Sequence, residues 1–222
     1  MKYIILKKMI LKEKRWKLLN KDLLRLYLIA SSKSFKNPLK DLEEAFKAGV
    51  TCFQLREKGQ GIKTGDELVN FAHDVKALCQ KYDIPFIIND DVELAIKVDA
   101  DGIHLGQDDI EPANLSSFFD EKIVGLSVGN LSELKSSNLS KVSYLGTGPV
   151  FLTTSKDDAG DAIGLSGLEA VAKNTELPLV AIGGINISNY KECLSHGADG
   201  ISVISVITQS DNIEQTVTQL LK

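Results

Sequence analysis

Short runs of apolar residues alternate with longer amphipathic stretches along the chain from Leu26 onward. The short runs have the length and β-branched character of buried strands, whereas the longer stretches carry apolar residues at helical spacing. We count eight of each, and the predicted strands are Leu26–Ala30, Cys52–Arg56, Phe86–Asn89, Gly102–Leu105, Ile123–Ser127, Tyr144–Thr147, Leu179–Ile182 and Gly200–Val203. This alternation is typical of repeated βα units on a parallel sheet.

Helix-capping signals fall between the predicted strands. Asn37-Pro38 offers an N-cap followed by proline at the first helical position, and Gly49 is placed to end that helix. The sequence Thr64-Gly65-Asp66-Glu67 has the spacing of a capping box at the start of a long helix. Asn186 and Gly197 bracket a later helix in the same way.

Eight βα units can form either an open doubly wound sheet or a closed barrel. The open sheet usually carries a glycine-rich turn after its first strand, and the sequence Ser31-Ser32-Lys33 has none. We therefore predict an α/β fold, a (β/α)8 TIM barrel that forms a single domain over residues 24–222. In such barrels the chemistry lies at the carboxyl ends of the strands.

Residues 1–23 form a basic N-terminal extension that we predict to be helical. Its apolar run Tyr3–Leu6 is too short for a signal-peptide core or a membrane span, so we expect a cytoplasmic protein. A helix here would cover the bottom of the barrel with the apolar residues Ile5, Met9, Ile10, Trp16 and Leu19. Binding of an anionic partner by the basic residues is the alternative.

Composition narrows the choice of ligands. The chain has 222 residues, of which 25% are charged, and a formal net charge of −4. No overall positive field would attract nucleic acid or an anionic membrane, so an anionic small molecule must be held by local cations. The three cysteines are far apart in sequence, which predicts buried thiols rather than a disulfide or a zinc site. A homo-oligomer is compatible with the sequence.

Polar residues at the predicted strand ends carry the functional signal. Gln54, Arg56 and Lys58 are two residues apart, so strand periodicity points all three to one face, while Phe53 and Leu55 face the helices. The positive charges of Arg56 and Lys58, pointing into the barrel, must be balanced by nearby negative charge. A ligand phosphate is the favoured source, and Glu57 or another carboxylate is the alternative.

Two neighbouring strands end in carboxylates, in the sequences Asn89-Asp90-Asp91 and Gln107-Asp108-Asp109. Oxygen donors beside phosphate-binding cations would suit Mg²⁺, which also takes water and substrate oxygens. One aspartate of each pair can instead cap the next helix, and Asp91 and Asp108 are the better candidates for that function.

A second anion site is predicted after the sixth to eighth strands. Thr153-Thr154-Ser155-Lys156 offers three hydroxyls and an ammonium group on a long loop that reaches to about Ile163. Gly183-Gly184 lets backbone N–H groups approach an anion, and Ile204-Ser205 begins what could be a short extra helix. These two segments match the usual phosphate site of the barrel fold.

Five ordered motifs resemble those of the thiamine-phosphate synthase family, over essentially the whole chain from Leu26 to Leu221. The motifs are Gln54–Lys58, Asn89–Ala95, Gly102–Asp109, Gly148–Phe151 with Thr153–Lys156, and Ala181–Ile185. The resemblance implies a transferase that joins 4-amino-2-methyl-5-hydroxymethylpyrimidine diphosphate to 4-methyl-5-(2-hydroxyethyl)thiazole phosphate, or to its carboxylated form. The products would be thiamine phosphate and pyrophosphate.

The same resemblance implies a role for each motif residue. The pyrimidine diphosphate would be bound by Gln54, Arg56, Lys58, Asn89 and Lys156. The magnesium ligands would be Asp90 and Asp109, and Ser127 would contact the pyrimidine. The thiazole phosphate would be received by Thr153, Thr154, Ser155, Gly184, Ile204 and Ser205. The catalytic residues would be Arg56, Lys58, Asn89, Ser127 and Lys156, which help pyrophosphate to leave before the thiazole nitrogen captures a pyrimidine-methyl cation.

Two positions depart from the family pattern. Gly129 stands where many relatives have histidine, and Leu152 stands where many have proline. Related thiazole tautomerases use a histidine near the first position, so Gly129 argues against that alternative. His104 is interpreted as a hydrogen-bonded structural imidazole rather than a general base. A sugar-phosphate isomerase on the same barrel and a non-catalytic sensor of thiamine precursors remain as further alternatives.

Overall fold

Eight parallel strands close into a barrel in their order along the chain. The computed structural model describes residues 20–155 and 160–222. The strands are β1 (Leu26–Ala30), β2 (Cys52–Leu55), β3 (Phe86–Asn89), β4 (Gly102–Leu105), β5 (Ile123–Ser127), β6 (Tyr144–Thr147), β7 (Leu179–Ile182) and β8 (Gly200–Val203). β8 pairs with β1 and closes the sheet. The predicted (β/α)8 barrel is confirmed, and only β2 ends one residue earlier than predicted.

Helices connect most of the strands. They are α1 (Pro38–Ala48), α2 (Gly65–Lys81), α3 (Val92–Lys97), α4 (Leu131–Ser136), α5 (Gly164–Ala172), α6 (Tyr190–Ser195), α7 (Ser205–Thr208) and α8 (Ile213–Leu220). Between β4 and β5 the chain forms the 3₁₀ turns Pro112–Asn114 and Ser117–Phe119 instead of the predicted helix. Proline and serine favour short turns over a continued helix, which accounts for the difference.

The helices with predicted capping signals are present, but several of the predicted caps are not formed. Asn37 and Thr64 occupy the N-cap positions of α1 and α2 without a side-chain capping bond. Asn189, and not Asn186, precedes α6. Gly49 ends α1 with φ of 122°, a conformation that favours glycine. Helix positions therefore follow from the apolar pattern and the glycine signals more than from side-chain caps.

Alternate strand residues separate an outer core from the barrel interior. Phe53 and Leu55 belong to the large cluster between the strands and the helices, as predicted. The smaller interior cluster includes Tyr27, Ile87 and Tyr144. Because the interior is filled by side chains, ligands can bind only at its ends.

The described part of the chain begins with a capped turn below the barrel. Asn20 caps the 3₁₀ turn Lys21–Leu24, and Leu24 is buried among the interior residues. The predicted helical face at Ile5, Met9, Ile10, Trp16 and Leu19 lies outside the described residues, so the helical extension stays a prediction. No helix in the described ranges is both long and apolar enough to span a bilayer.

Candidate active site

A polar cavity of about 310 Å³ opens at the carboxyl ends of the strands. Its wall contains the side chains that we call the charged pocket, namely Arg56, Lys58, Asn89, Asp90, Asp109 and Ser127. They come from the ends of β2, β3, β4 and β5 or from the residues that follow these strands. Neighbouring parallel strands thus bring residues from four separate segments into one cavity.

Lys58 and Asp90 form an ion pair across the charged pocket, with Nζ and Oδ2 2.5 Å apart. Burial and the neighbouring Asp109 carboxylate raise the pKa of Asp90, while Lys58 acts in the opposite direction. Asp90 also has φ of 60°, a left-handed backbone conformation that is uncommon for residues other than glycine. The pocket therefore holds two adjacent carboxylates that a cation would stabilise.

The other aspartates of the two clusters have local functions. Asp91 caps α3 by accepting a hydrogen bond of 2.9 Å from the backbone N–H of Leu94, as predicted. Asp108 does not cap the following turn, because Glu111 occupies that N-cap position. Asp109 accepts a hydrogen bond of 2.7 Å from the N–H of Gly106, which holds its carboxylate at the rim of the pocket.

Glu57 has a structural function that the sequence did not reveal. Its carboxylate accepts hydrogen bonds from the N–H and hydroxyl of Ser32 and from the N–H of Lys63. It thereby joins the loops after β1 and β2. A carboxylate also compensates one of the two inward cations, because Lys58 forms an ion pair with Asp90.

Gln54 and His104 lie deeper than the cations of the charged pocket. Gln54 is 1% exposed and donates from Nε2 to the Tyr27 hydroxyl, so it belongs to the barrel interior. His104 is also buried, and each of its ring nitrogens has a hydroxyl partner at 2.9 Å. His104 is therefore hydrogen-bonded as expected, and its structural role rather than a general-base role stays a prediction.

A second cavity, of about 700 Å³, adjoins the first. We call its predicted ligand-binding residues the hydroxyl pocket: Thr153, Thr154, Ser155, Gly184, Ile204 and Ser205. The Ser155 and Ser205 hydroxyls are 3.1 Å apart, which links the loop after β6 to the start of α7. Thr153, Ile182 and Gly183 border both cavities. Two ligands bound there would lie side by side.

The two glycines after β7 are required by close packing. A Cβ atom at Gly183 would lie 2.4 Å from Pro149 Cβ, and one at Gly184 would lie 2.6 Å from the Leu152 carbonyl oxygen. Both residues have positive φ, of 98° and 65°. The loop after β6 therefore packs directly on the backbone that forms the floor of the hydroxyl pocket.

Three further positions singled out in the sequence are Lys156, Leu152 and Gly129. Lys156 lies outside the described residues, so its role stays a prediction. The Leu152 side chain is 87% exposed at the rim of the second cavity. Gly129 donates its N–H to Glu133 at 2.7 Å and supplies no side chain.

The cysteines are buried and free, as predicted. Burial raises the pKa of Cys193 to about 11 and also raises the pKa values of Cys52 and Cys79. All three therefore remain thiols at neutral pH and are poor nucleophiles.

The fold is a (β/α)8 barrel with two adjoining cavities at the carboxyl ends of its strands. The sequence model of the family described as thiamine monophosphate synthase matches residues 26–207. A solved structure, thiamine phosphate pyrophosphorylase from Pyrococcus furiosus, superposes with a TM-score of 0.79 at 33% identity, covering 90% of this chain and 95% of that one. 3-Hexulose-6-phosphate synthase, at 12% identity and a TM-score of 0.62, shares the fold alone.

The chain belongs to the thiamine monophosphate synthase family and is a transferase of thiamine biosynthesis. It is 47% identical over 204 residues to thiamine-phosphate synthase 1 of Streptococcus pneumoniae, which covers 90% of this chain and 98% of the relative. It is 49% identical over 182 residues to thiamine-phosphate synthase of Staphylococcus carnosus, with 82% and 86% covered. The resemblance inferred from the five motifs is confirmed.

Proposed function

We propose that the chain joins 4-amino-2-methyl-5-hydroxymethylpyrimidine diphosphate to 4-methyl-5-(2-hydroxyethyl)thiazole phosphate, or to its carboxylated form, and releases pyrophosphate. The observation that carries the proposal is the pair of cavities that share Thr153, Ile182 and Gly183 as a common border. One cavity carries cations and carboxylates, and the other carries hydroxyls and backbone groups. A reaction between two anionic substrates needs such an arrangement.

The charged pocket is suited to the diphosphate. Arg56 and Lys58 supply positive charge and Asn89 a hydrogen-bonding amide at the same wall, and Lys156 is proposed to join them. Negative charge gathers on pyrophosphate as its bond to the pyrimidine carbon breaks, so cations fixed in advance stabilise the transition state more than the ground state. Ser127, at the inner end of the same cavity, is proposed to contact the pyrimidine ring.

Asp90 and Asp109 are proposed to hold Mg²⁺. Within the described residues, no group of three or more His, Cys, Asp and Glu side chains is placed to hold a metal. Two carboxylates are nevertheless sufficient for Mg²⁺, which completes its coordination with water and substrate phosphate. Burial and the adjacent Asp109 carboxylate raise the pKa of Asp90 even though Lys58 is paired with it, so a bound cation would further stabilise the two carboxylates. Bound Mg²⁺ would neutralise charge on the leaving group.

The hydroxyl pocket is suited to a monophosphate. Thr153, Thr154 and Ser155 offer donors from the loop after β6, and Gly184 and Ser205 offer donors after β7 and β8. A thiazole anchored there by its phosphate would extend over the common border toward the charged pocket. Holding the nucleophile in this position removes the entropic cost of a bimolecular encounter.

A turnover assay tests the proposal. Purified protein is incubated with the pyrimidine diphosphate, the thiazole phosphate and Mg²⁺, and the products are separated by chromatography. We expect thiamine phosphate and pyrophosphate in equal amounts, and no product when either substrate is omitted. Binding of both substrates without any product would instead support a non-catalytic sensor. Isomerisation of the thiazole ligand alone would support the tautomerase alternative.

A further inference from the structure

A continuous chain of hydrogen bonds crosses the barrel interior and ends at the charged pocket. Gln54 Nε2 donates to the Tyr27 hydroxyl at 2.8 Å, and this hydroxyl lies 2.8 Å from the Tyr144 hydroxyl. The Tyr144 hydroxyl lies 2.9 Å from His104 Nδ1, and His104 Nε2 lies 2.9 Å from Ser127 Oγ. The first four residues are buried, and Ser127 reaches the cavity wall.

Gly125 on β5 and Gly146 on β6 provide the space for this hydrogen-bond chain. A Cβ atom at Gly125 would lie 2.3 Å from both His104 Nδ1 and Tyr144 Cζ. A Cβ atom at Gly146 would lie 3.0 Å from His104 Cε1. Any larger residue at Gly125 would displace the two rings, so the barrel interior is shaped around the contact between them.

Gln54, at the inner end of the hydrogen-bond chain, sets the direction in which each hydrogen bond is donated. The Gln54 amide group can only donate through Nε2, and Oε1 is buried with no hydrogen-bond partner among the described residues. Turning the amide over would instead bury both N–H bonds of Nε2 without an acceptor, and orphaned N–H groups are rarer than under-satisfied carbonyl oxygens. Tyr27 therefore accepts from Gln54 and has its own proton left to donate.

Each later bond follows from the one before it. Both tyrosines stay protonated, because burial raises the pKa values of Tyr27 and Tyr144 well above their usual range. Tyr27 donates to Tyr144, since the nearby Cys52 sulfur is a weak acceptor. Tyr144 in turn donates to His104 Nδ1, which must then be unprotonated. A neutral imidazole with an unprotonated Nδ1 carries its hydrogen on Nε2 and donates to Ser127.

We propose that this chain fixes His104 as the Nε2–H tautomer and makes the Ser127 hydroxyl a hydrogen-bond donor into the charged pocket. Tyr27, Tyr144 and His104 are then positioning residues that act through Ser127. A donor at this point selects an acceptor atom of the ligand, which fits a ring nitrogen of the aminopyrimidine and not its exocyclic amino group. The identity of that ligand rests on the proposed function, whereas the direction of donation along the hydrogen bonds does not.

The tautomer is measured directly by NMR on protein labelled with ¹⁵N-histidine. The chain contains three histidines, and the signals of His104 are assigned by their loss in His104→Gln. Long-range ¹H–¹⁵N correlations distinguish a protonated from an unprotonated ring nitrogen. We expect hydrogen on Nε2 of His104 in the unmodified protein without any substrate. Hydrogen on Nδ1 would overturn the proposal, whatever reaction the protein catalyses.

Kinetic variants test whether the chain acts through Ser127. We expect Tyr144→Phe to lower kcat/KM for the pyrimidine diphosphate about tenfold, the loss that corresponds to one hydrogen bond. Tyr27→Phe leaves the bond between Tyr144 and His104 in place and should have a smaller effect. Tyr190→Phe is the matched control, because Tyr190 is also buried but donates outside the barrel interior, to the Gln219 carbonyl oxygen. Its kcat/KM should be unchanged.

A double-mutant comparison separates positioning from general loss of stability. In a Ser127→Ala background, Tyr144→Phe should cause no further loss of kcat/KM, because the residue through which it acts is already absent. A full tenfold loss in that background would overturn the proposal. Should the Tyr144 variant fail to fold, Tyr27→Phe in the same background and the tautomer of the unmodified protein still decide the question.

Discussion

The two pockets at the mouth of the barrel are built in different ways. The charged pocket takes its side chains from strand ends or the residues that directly follow them, and Lys58 and Asp90 already form an ion pair there. The hydroxyl pocket depends on the loop after β6, on Gly184 and on a short helix that begins at Ser205. In the proposed function, the charged pocket would recognise the diphosphate through strand-end side chains, and the hydroxyl pocket would recognise a phosphate through donors on packed loops.

This difference predicts separable effects on the two substrates. Changes in the charged pocket should affect chemistry, because they act on the leaving group. Changes in the hydroxyl pocket should mainly affect affinity for the thiazole phosphate, because that contact is the same in the ground state and the transition state.

The largest effect is expected for Asp90→Asn. The variant loses one of the two carboxylates proposed to hold Mg²⁺, so kcat should fall about 100-fold or more. The dissociation constant for thiazole phosphate, measured by calorimetry, should change by less than about twofold. Asp91→Asn is the matched control, since asparagine can still cap α3 and kcat should be retained. Equal loss of turnover and of thiazole phosphate binding in Asp90→Asn would contradict the separation of the pockets.

Gly184→Ala should disrupt the hydroxyl pocket. The added Cβ would lie 2.6 Å from the Leu152 carbonyl oxygen at a position with φ of 65°, so the loop after β6 must move. We expect the KM for thiazole phosphate to rise about tenfold, with Mg²⁺-pyrophosphate binding retained. Gly160→Ala provides the comparison, because its Cβ would lie more than 4 Å from every residue that the structure describes. A variant at Gly184 with unchanged kinetics would show that this packing does not shape the pocket.

A smaller change is expected for Ser205→Ala, which removes the hydroxyl that lies 3.1 Å from Ser155. Loss of one neutral hydrogen bond should raise the KM for thiazole phosphate about three- to tenfold and leave kcat nearly unchanged. Steady-state kinetics with each substrate varied in turn measures both quantities. A fall in kcat at constant KM would place Ser205 in the chemical step instead.

No effect is expected from alkylation of thiols at pH 8. Burial raises the pKa of Cys193 to about 11, so only about one thiol in a thousand is ionised at this pH. Neither pocket contains a cysteine among its described residues. Mass spectrometry after treatment with iodoacetamide should show unmodified protein with full activity, and rapid inactivation would contradict the burial of these groups.

Much of the charged pocket could be predicted from sequence because strand periodicity is simple. Positions two apart share a face, so Arg56 and Lys58 were placed together, and the barrel fold put Asp90 and Asp109 at the same end. The sequence could not show which carboxylate pairs with Lys58. That choice depends on the left-handed backbone of Asp90 and on the bonds between Glu57 and the loop after β1.

The interior hydrogen-bond chain was also missed. The same periodicity places Tyr27 and Tyr144 inside the barrel, but Tyr27 lies between two leucines and Tyr144 directly precedes Leu145, so each resembles an ordinary core position. The available signal was spatial, because Gly125 and Gly146 leave room for rings contributed by other strands. Contacts between side chains of non-adjacent strands do not follow from the pattern of any one segment.

The central claim is that two separate anion pockets bind their ligands at the same time, and a competition titration tests it most directly. Thiazole phosphate is titrated into the protein by calorimetry, first alone and then with saturating Mg²⁺ and pyrophosphate. We predict one binding site in both experiments, with dissociation constants that agree within about twofold. Loss of thiazole phosphate binding when pyrophosphate is present would mean that the two anions occupy one pocket, and would contradict the account.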